Sequence, residues 1–117
     1  MRLKPLKTVK YSDPVKVLKA AMRLLSNKNR WIKGWEAKDA LGLGVVGYSP
    51  AAVQFCAIGA CRKYSANDST FPARFYLDKA SANGDVTEIN DARKTSHAKI
   101  LRKFRHAIRL AEKAKQQ

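Results

Sequence analysis

Between Ser96 and Lys115 the sequence separates apolar from basic residues with a helical period, and this separation limits what the chain can become. At 100° per residue, Ile100, Leu101, Phe104, Ala107, Ile108 and Ala111 form an apolar arc of about 120°. Lys99, Arg102, Lys103, His106, Arg109 and Lys113 occupy the facing arc, with Arg105 at its margin. Leu110 falls inside the basic arc and reads as an exposed apolar contact. Thr95 or Ser96 supplies an N-cap. Such a helix needs an apolar partner on one side and water or an anion on the other.

A second segment has the same design. Asp13-Pro14 reads as N-cap and first helical residue, because proline lacks the donor that would be unpaired there anyway. From Pro14 to about Asn27, Val15, Val17, Leu18, Ala21, Met22, Leu24 and Leu25 share one half of the helical wheel. Lys16, Lys19 and Arg23 lie within about 60° of one another on the opposite side. Ser49-Pro50 repeats the cap-then-proline signal and predicts a helix to about Tyr64, with Gly59 marking close approach of another helix. Pro72 to about Ala82 predicts a fourth, short helix ended by Asn83-Gly84. Asp85 to Ile89 reads as extended without a strand partner. The expected architecture is mainly α: a compact bundle of about four helices in one domain, 13–117, preceded by an extended basic arm, 1–12.

Charge follows the same division. Residues 1–33 hold ten Lys or Arg against one acid, residues 34–89 five against six, and residues 90–117 nine against two. The net charge of +15 over 117 residues therefore belongs to the two ends. Self-repulsion of that size is tolerated when a polyanion is the partner. With 45% hydrophobic residues the chain is too apolar for a disordered basic tail.

Several classes are excluded. The longest mainly apolar stretch, Ala51–Cys61, contains Gln54 and falls well short of the ~20 residues of a membrane span. Met1–Lys7 has charge but no hydrophobic region behind it, so no secretory signal is read and a cytoplasmic location with reduced thiols is expected. Cys56 and Cys61, five residues apart, diverge by about 140° on a helix and read as small buried hydrophobes. His97 and His106 point about 180° apart, no nucleophile–base or carboxylate pair stands out, and no metal-ligand cluster is present, so neither enzymatic activity nor a cofactor is expected. Gly42-Leu43-Gly44-Val45-Val46-Gly47 matches the dinucleotide-binding glycine pattern but lacks its strand-and-helix frame. It reads as a turn-rich connection.

The candidate site is a set of cations. Arg2, Lys4, Lys7 and Lys10 on the arm, Lys16, Lys19 and Arg23 on the first helix, and Lys99, Arg102, Lys103 and Arg109 on the last are assigned to phosphate contacts. Arg93 and Lys94 join them because Thr95 and Ser96 open a helix whose free N–H groups favour an anion. Trp31 and Trp35 stand among Lys28, Arg30 and Lys33; Trp31 is preferred as a core anchor over a base-stacking role.

The motif order Trp31-x-x-Gly34, Ala37-x-Asp39-x-x-Gly42, Ser49-Pro50-x-Ala52-Val53-x-x-Cys56-Ala57-x-Gly59-Ala60, Asn90-Asp91 and Thr95-x-His97-Ala98 resembles an uncharacterised family of small bacterial and phage proteins. The similarity spans roughly residues 15–112, with Phe55 and Ile89 where the family usually carries Trp or another aromatic. It implies a compact, mainly helical domain of phage or mobile-element origin, and no particular activity. For Trp31, Cys56, Gly59, Asn90, Asp91 and His97 the resemblance leaves a shared core or a shared site open, and the core is preferred.

The expectation is a non-enzymatic nucleic-acid-binding protein with little sequence specificity, its partner DNA, RNA or a nucleoprotein complex and not a membrane. The rival expectation is a protein-interaction module, such as a phage-encoded inhibitor of a host or defence complex, holding an acidic protein surface or a guide RNA.

Overall fold

Two helices are placed by the signals that the sequence carries most strongly. In the computed structural model, which describes residues 3–7, 9–66 and 70–117, α1 runs Pro14–Leu25 and α5 runs His97–Lys115. The Asp13 carboxylate accepts from the Val15 N–H and the Ser96 hydroxyl from the Lys99 N–H, so both helices begin on side-chain caps. Val17, Leu18, Ala21 and Leu25 of α1 face Ile100, Phe104, Ala107 and Ala111 of α5 in the core, all buried.

Between them lie three strands and three more helices: β1 (Ala37–Asp39), β2 (Gly44–Val45), β3 (Ala52–Phe55), α2 (Ala57–Tyr64), α3 (Thr70–Lys79) and α4 (Val86–Asp91), with a single 3-10 turn at Lys28–Arg30. The strands form an antiparallel sheet in the order β2-β1-β3, with Ala37 opposite Val45 on one side and Phe55 on the other. Helix α1 packs on α2, α3 and α5, and α3 also meets α5.

The four-helix, mainly α architecture expected from the sequence is therefore incorrect; among the described residues, five helices and a three-stranded sheet make an α+β fold. Ser49-Pro50 imitates a helix start, yet Ala52–Phe55 pairs with β1 and the helix begins only after Cys56, whose Sγ accepts from the Gly59 N–H. Asp39 and Gly42 make the β1–β2 turn. The Asp39 carboxylate accepts from the Leu41 and Leu43 N–H groups, and Gly42 takes a φ of 81°. Asp85–Ile89 is not extended: Asp85 accepts from the Thr87 and Glu88 N–H groups and caps α4.

Gly59 tolerates a close neighbour, as expected, but that neighbour is not a helix. A Cβ there would stand 2.0 Å from the Glu36 carbonyl oxygen, and one on Gly47 would stand 2.3 Å from the Gly59 carbonyl. The two glycines let the backbone leading into β1, the loop after β2 and α2 touch directly. The glycine-rich stretch is thus part of a hairpin and its packing; a strand, β1, does precede it, contrary to the sequence reading, but no helix opens until Ala57.

Candidate nucleic-acid interface

Helices α1 and α5 run antiparallel, and three contacts step along them in opposite chain directions. Lys115 Nζ lies 2.5 Å from Asp13 Oδ2, Lys19 Nζ lies 3.2 Å from Glu112 Oε2, and His97 Nε2 lies 2.5 Å from the Leu25 carbonyl. The carbonyl can only accept, so that imidazole nitrogen carries the proton. Alongside this seam opens a groove of about 540 Å³. Lys19 and Arg23 from α1 and Arg105 and Arg109 from α5 line it, around half-buried Met22 and buried Ile108.

The first and last basic segments of the chain therefore meet in space. Lys19, Arg23 and Arg109 are brought together as a set. Arg105, marginal on the helical wheel, belongs with them. Lys16, three residues from Lys19, and Arg102, seven from Arg109, extend the same two exposed faces. Lys103 is turned about 120° from Arg109, and both Lys99 and Lys103 are half-buried rather than free-standing. Leu110 is also half-buried and packs on the core, contrary to its reading as an exposed contact.

The arm cations are held elsewhere. The Lys4 carbonyl accepts from Arg30 Nη2, the Leu6 carbonyl accepts from Lys63 Nζ, and Tyr11 exchanges backbone bonds with Tyr64 and Ala66. The arm thus lies along α2, with Lys4, Lys7 and Lys10 exposed; Arg2 lies outside the described residues. Arg30 and Lys63 are both buried, and the charge pattern alone did not distinguish them from surface cations. Burial pushes the Lys63 ammonium below its usual range, and the charges of Arg30 and Lys10 push it further the same way.

Arg93 and Lys94 are exposed on the turn before α5, where Lys33 Nζ donates to the Ala92 and Arg93 carbonyls. Thr95 is buried, and its Oγ1 has no hydrogen-bond partner among the described residues.

The motif residues form a clasp. Asn90 is 1% exposed and uses its whole amide: Oδ1 accepts from Trp31 Nε1 (2.7 Å) and the Ala57 N–H (3.1 Å), while Nδ2 donates to the Ile32 carbonyl (3.1 Å) and Asp91 Oδ1 (3.0 Å). Asp91 Oδ1 also accepts from the Gly34 N–H. The Trp31 ring lies against His97 at 5.8 Å between centroids. Four segments are joined there, and the Asn90 amide is fully used in joining them. Burial raises the Cys56 thiol, with the Gly59 and Ile58 N–H groups opposing and the charges of Asp91 and Glu36 adding; burial likewise raises Cys61. Both are thiols rather than thiolates at neutral pH.

Among the described residues no cluster of three or more His, Cys, Asp or Glu is placed to hold a metal ion, and no helix is long and apolar enough to cross a membrane. No curated protein and no solved structure matches the chain. The model of a family of unknown function (DUF6197) matches residues 10–110, nearly the full length, and the chain belongs to that family.

Proposed function

We propose that the protein binds nucleic acid in the cytoplasm without catalysing a reaction, using the α1–α5 groove to neutralise phosphates. One observation carries this reading: Lys19 and Arg23 from the first basic segment and Arg105 and Arg109 from the last line a single groove. Coulombic attraction of that kind is indifferent to base identity, so sequence specificity is weak. Lys16 and Arg102 widen the footprint, and Arg93 and Lys94 add cations at the start of α5. If six to ten phosphates are engaged, affinity for a labelled oligonucleotide falls about 10³–10⁵-fold between 50 and 200 mM salt. A complex insensitive to salt overturns the reading.

A second reading has one observation of its own. Trp35, Leu41, Leu43 and Val46 are exposed apolar residues around the β1–β2 hairpin, the kind of surface a protein partner covers. On that reading the chain is an interaction module, for instance a phage-encoded inhibitor holding an acidic protein or a nucleoprotein. Pull-down with and without nuclease separates the two: loss of the partner on nuclease treatment favours nucleic acid, and retention of an acidic protein favours the module.

A further inference from the structure

A cavity of about 1030 Å³ lies apart from the basic groove. It opens between α2 and α3, with Ile58 and Arg62 on one side, Phe71 and Arg74 on the other, and Tyr48 from the loop before β3. A recess of about 250 Å³ shares Ile58, Arg62 and Arg74 with it and adds Trp35, Glu36 and Asp91.

Two properties distinguish this cleft. First, its rings are unoccupied: Tyr48 is 58% exposed and Phe71 77%, and among the described residues neither is stacked on another ring or a cation. Trp35, 54% exposed, is not free in this way: Lys38 Nζ lies 5.2 Å from its ring centroid, and one edge lies over Gly44, where a Cβ would stand 2.7 Å from the indole. Second, its charges are balanced. Arg62 pairs with Glu36 at 3.5 Å, and Arg74 with Asp78 at 3.3 Å and Asp85 at 3.5 Å. Asp91 is oriented by the Gly34 N–H and the Asn90 amide. A set of donors and acceptors this evenly matched is a poor phosphate trap. It suits the edge of a base, which presents donors and acceptors side by side, and the free rings suit its face.

We propose that the α2–α3 cleft takes an unpaired nucleobase of a single-stranded nucleic acid. Tyr48 or Phe71 stacks on the base, Arg62, Arg74 and the Asp91 oxygen not held by Gly34 and Asn90 meet its edge, and Lys10 at the rim serves the adjoining phosphate. Glu36, held by the Gly47 N–H and Arg62, orients the Arg62 guanidinium. The inference rests on the nucleic-acid reading above and narrows it, because a base inside a duplex cannot enter.

The test is fluorescence anisotropy with the full chain and a fluorescein-labelled mixed-sequence oligonucleotide, single-stranded and as its duplex. Tyr48→Ala with Phe71→Ala is expected to weaken single-strand binding about 5- to 150-fold, the range of one lost stacked base, leaving duplex affinity and the salt slope unchanged. Tyr48→Phe with Phe71→Tyr keeps the aromatic faces and is expected to retain wild-type affinity. Equal single-strand affinity in the alanine double variant, or an equal loss on duplex, overturns the inference while leaving the basic groove standing. Failure of the wild-type chain to bind either oligonucleotide at low salt overturns both.

Discussion

The α1–α5 groove and the α2–α3 cleft both display guanidinium groups beside apolar side chains, yet they are electrostatic opposites. In the groove, Lys19, Arg23, Arg105 and Arg109 are accompanied by one neighbouring acid, Glu112. In the cleft, each arginine faces a carboxylate. The difference is written along the chain. Residues 34–89 hold five bases and six acids, and the fold turns that balance into local ion pairs. The two ends hold three acids between them. Asp13 and Glu112 are taken up by Lys115 and Lys19, and Asp91 is turned to Gly34 and Asn90. Among the described residues, Arg23, Arg105 and Arg109 form no ion pair with these acids, which leaves the groove's guanidinium groups for an external partner. A net charge thus says less about binding than the location of the acids does.

The most severe way to break the contrast is to reverse the groove alone. On the counterion-release slope, each phosphate contact is worth about eightfold at 0.1 M salt. Arg23→Glu, Arg105→Glu and Arg109→Glu together are therefore expected to lower nucleic-acid affinity about 10²–10³-fold and the salt slope by about 3. The same titration of Arg62→Gln is the control: little change in slope is expected, and a drop as steep as the groove's would abolish the distinction between the two regions.

Deforming the cleft's support comes next. A methyl group on Gly59 meets the Glu36 carbonyl, a backbone atom that cannot swing away. Gly59→Ala is expected to cost about 3 kcal/mol or more, lowering Tm by about 12 °C or more. A melting temperature within a few degrees of wild type would mean that α2 and the approach to β1 are not in direct contact.

Much of the groove was legible in the sequence, and almost none of the cleft was. Asp13-Pro14, Ser96 and two long amphipathic periods placed α1 and α5, because caps and helical spacing are local properties. Their antiparallel seam depends on pairs such as Lys19–Glu112, far apart in the chain, so Arg105 remained marginal on a helical wheel. The strands carry two to four residues each, too few for a period to emerge. Their signal lay in Asp39, Gly42 and the Gly47–Gly59 contact, and the last of these exists only after folding. Asp85 offered a capping signal for α4 that went unread beside Asn83-Gly84. Exposed rings such as Tyr48 and Phe71 cannot be told from buried ones by spacing when their neighbours come from three elements.

Glu112 allows a smaller adjustment in the opposite direction. Glu112→Gln removes the acid beside the groove and releases Lys19 from its 3.2 Å pair. One more available cation is worth at most about eightfold at 0.1 M salt, so tighter oligonucleotide binding by a factor of about two to eight is expected. Unchanged affinity would mean that Lys19 does not reach the bound phosphates.

The far end of the same seam provides the subtlest test, because it separates holding the two helices together from binding. The hydrogen bond from Lys115 is the main reason the Asp13 carboxyl lies below its ordinary value of 3.8; partial burial opposes it, and the Val15 N–H and the charges of Lys115 and Lys16 lower it further. A carboxyl whose folded value is depressed adds stability that is fully present above the unfolded value and is lost as pH falls through the folded one. Both side chains reach solvent, so the pair is worth about 0.2–1 kcal/mol. Lys115→Gln is expected to remove that amount at pH 7 and to flatten the loss of stability below about pH 4, read by urea denaturation across pH 2–7. Its oligonucleotide affinity should fall by no more than one phosphate contact's worth. A larger loss in binding than in stability would place Lys115 among the phosphate-facing cations and extend the groove to the end of α5.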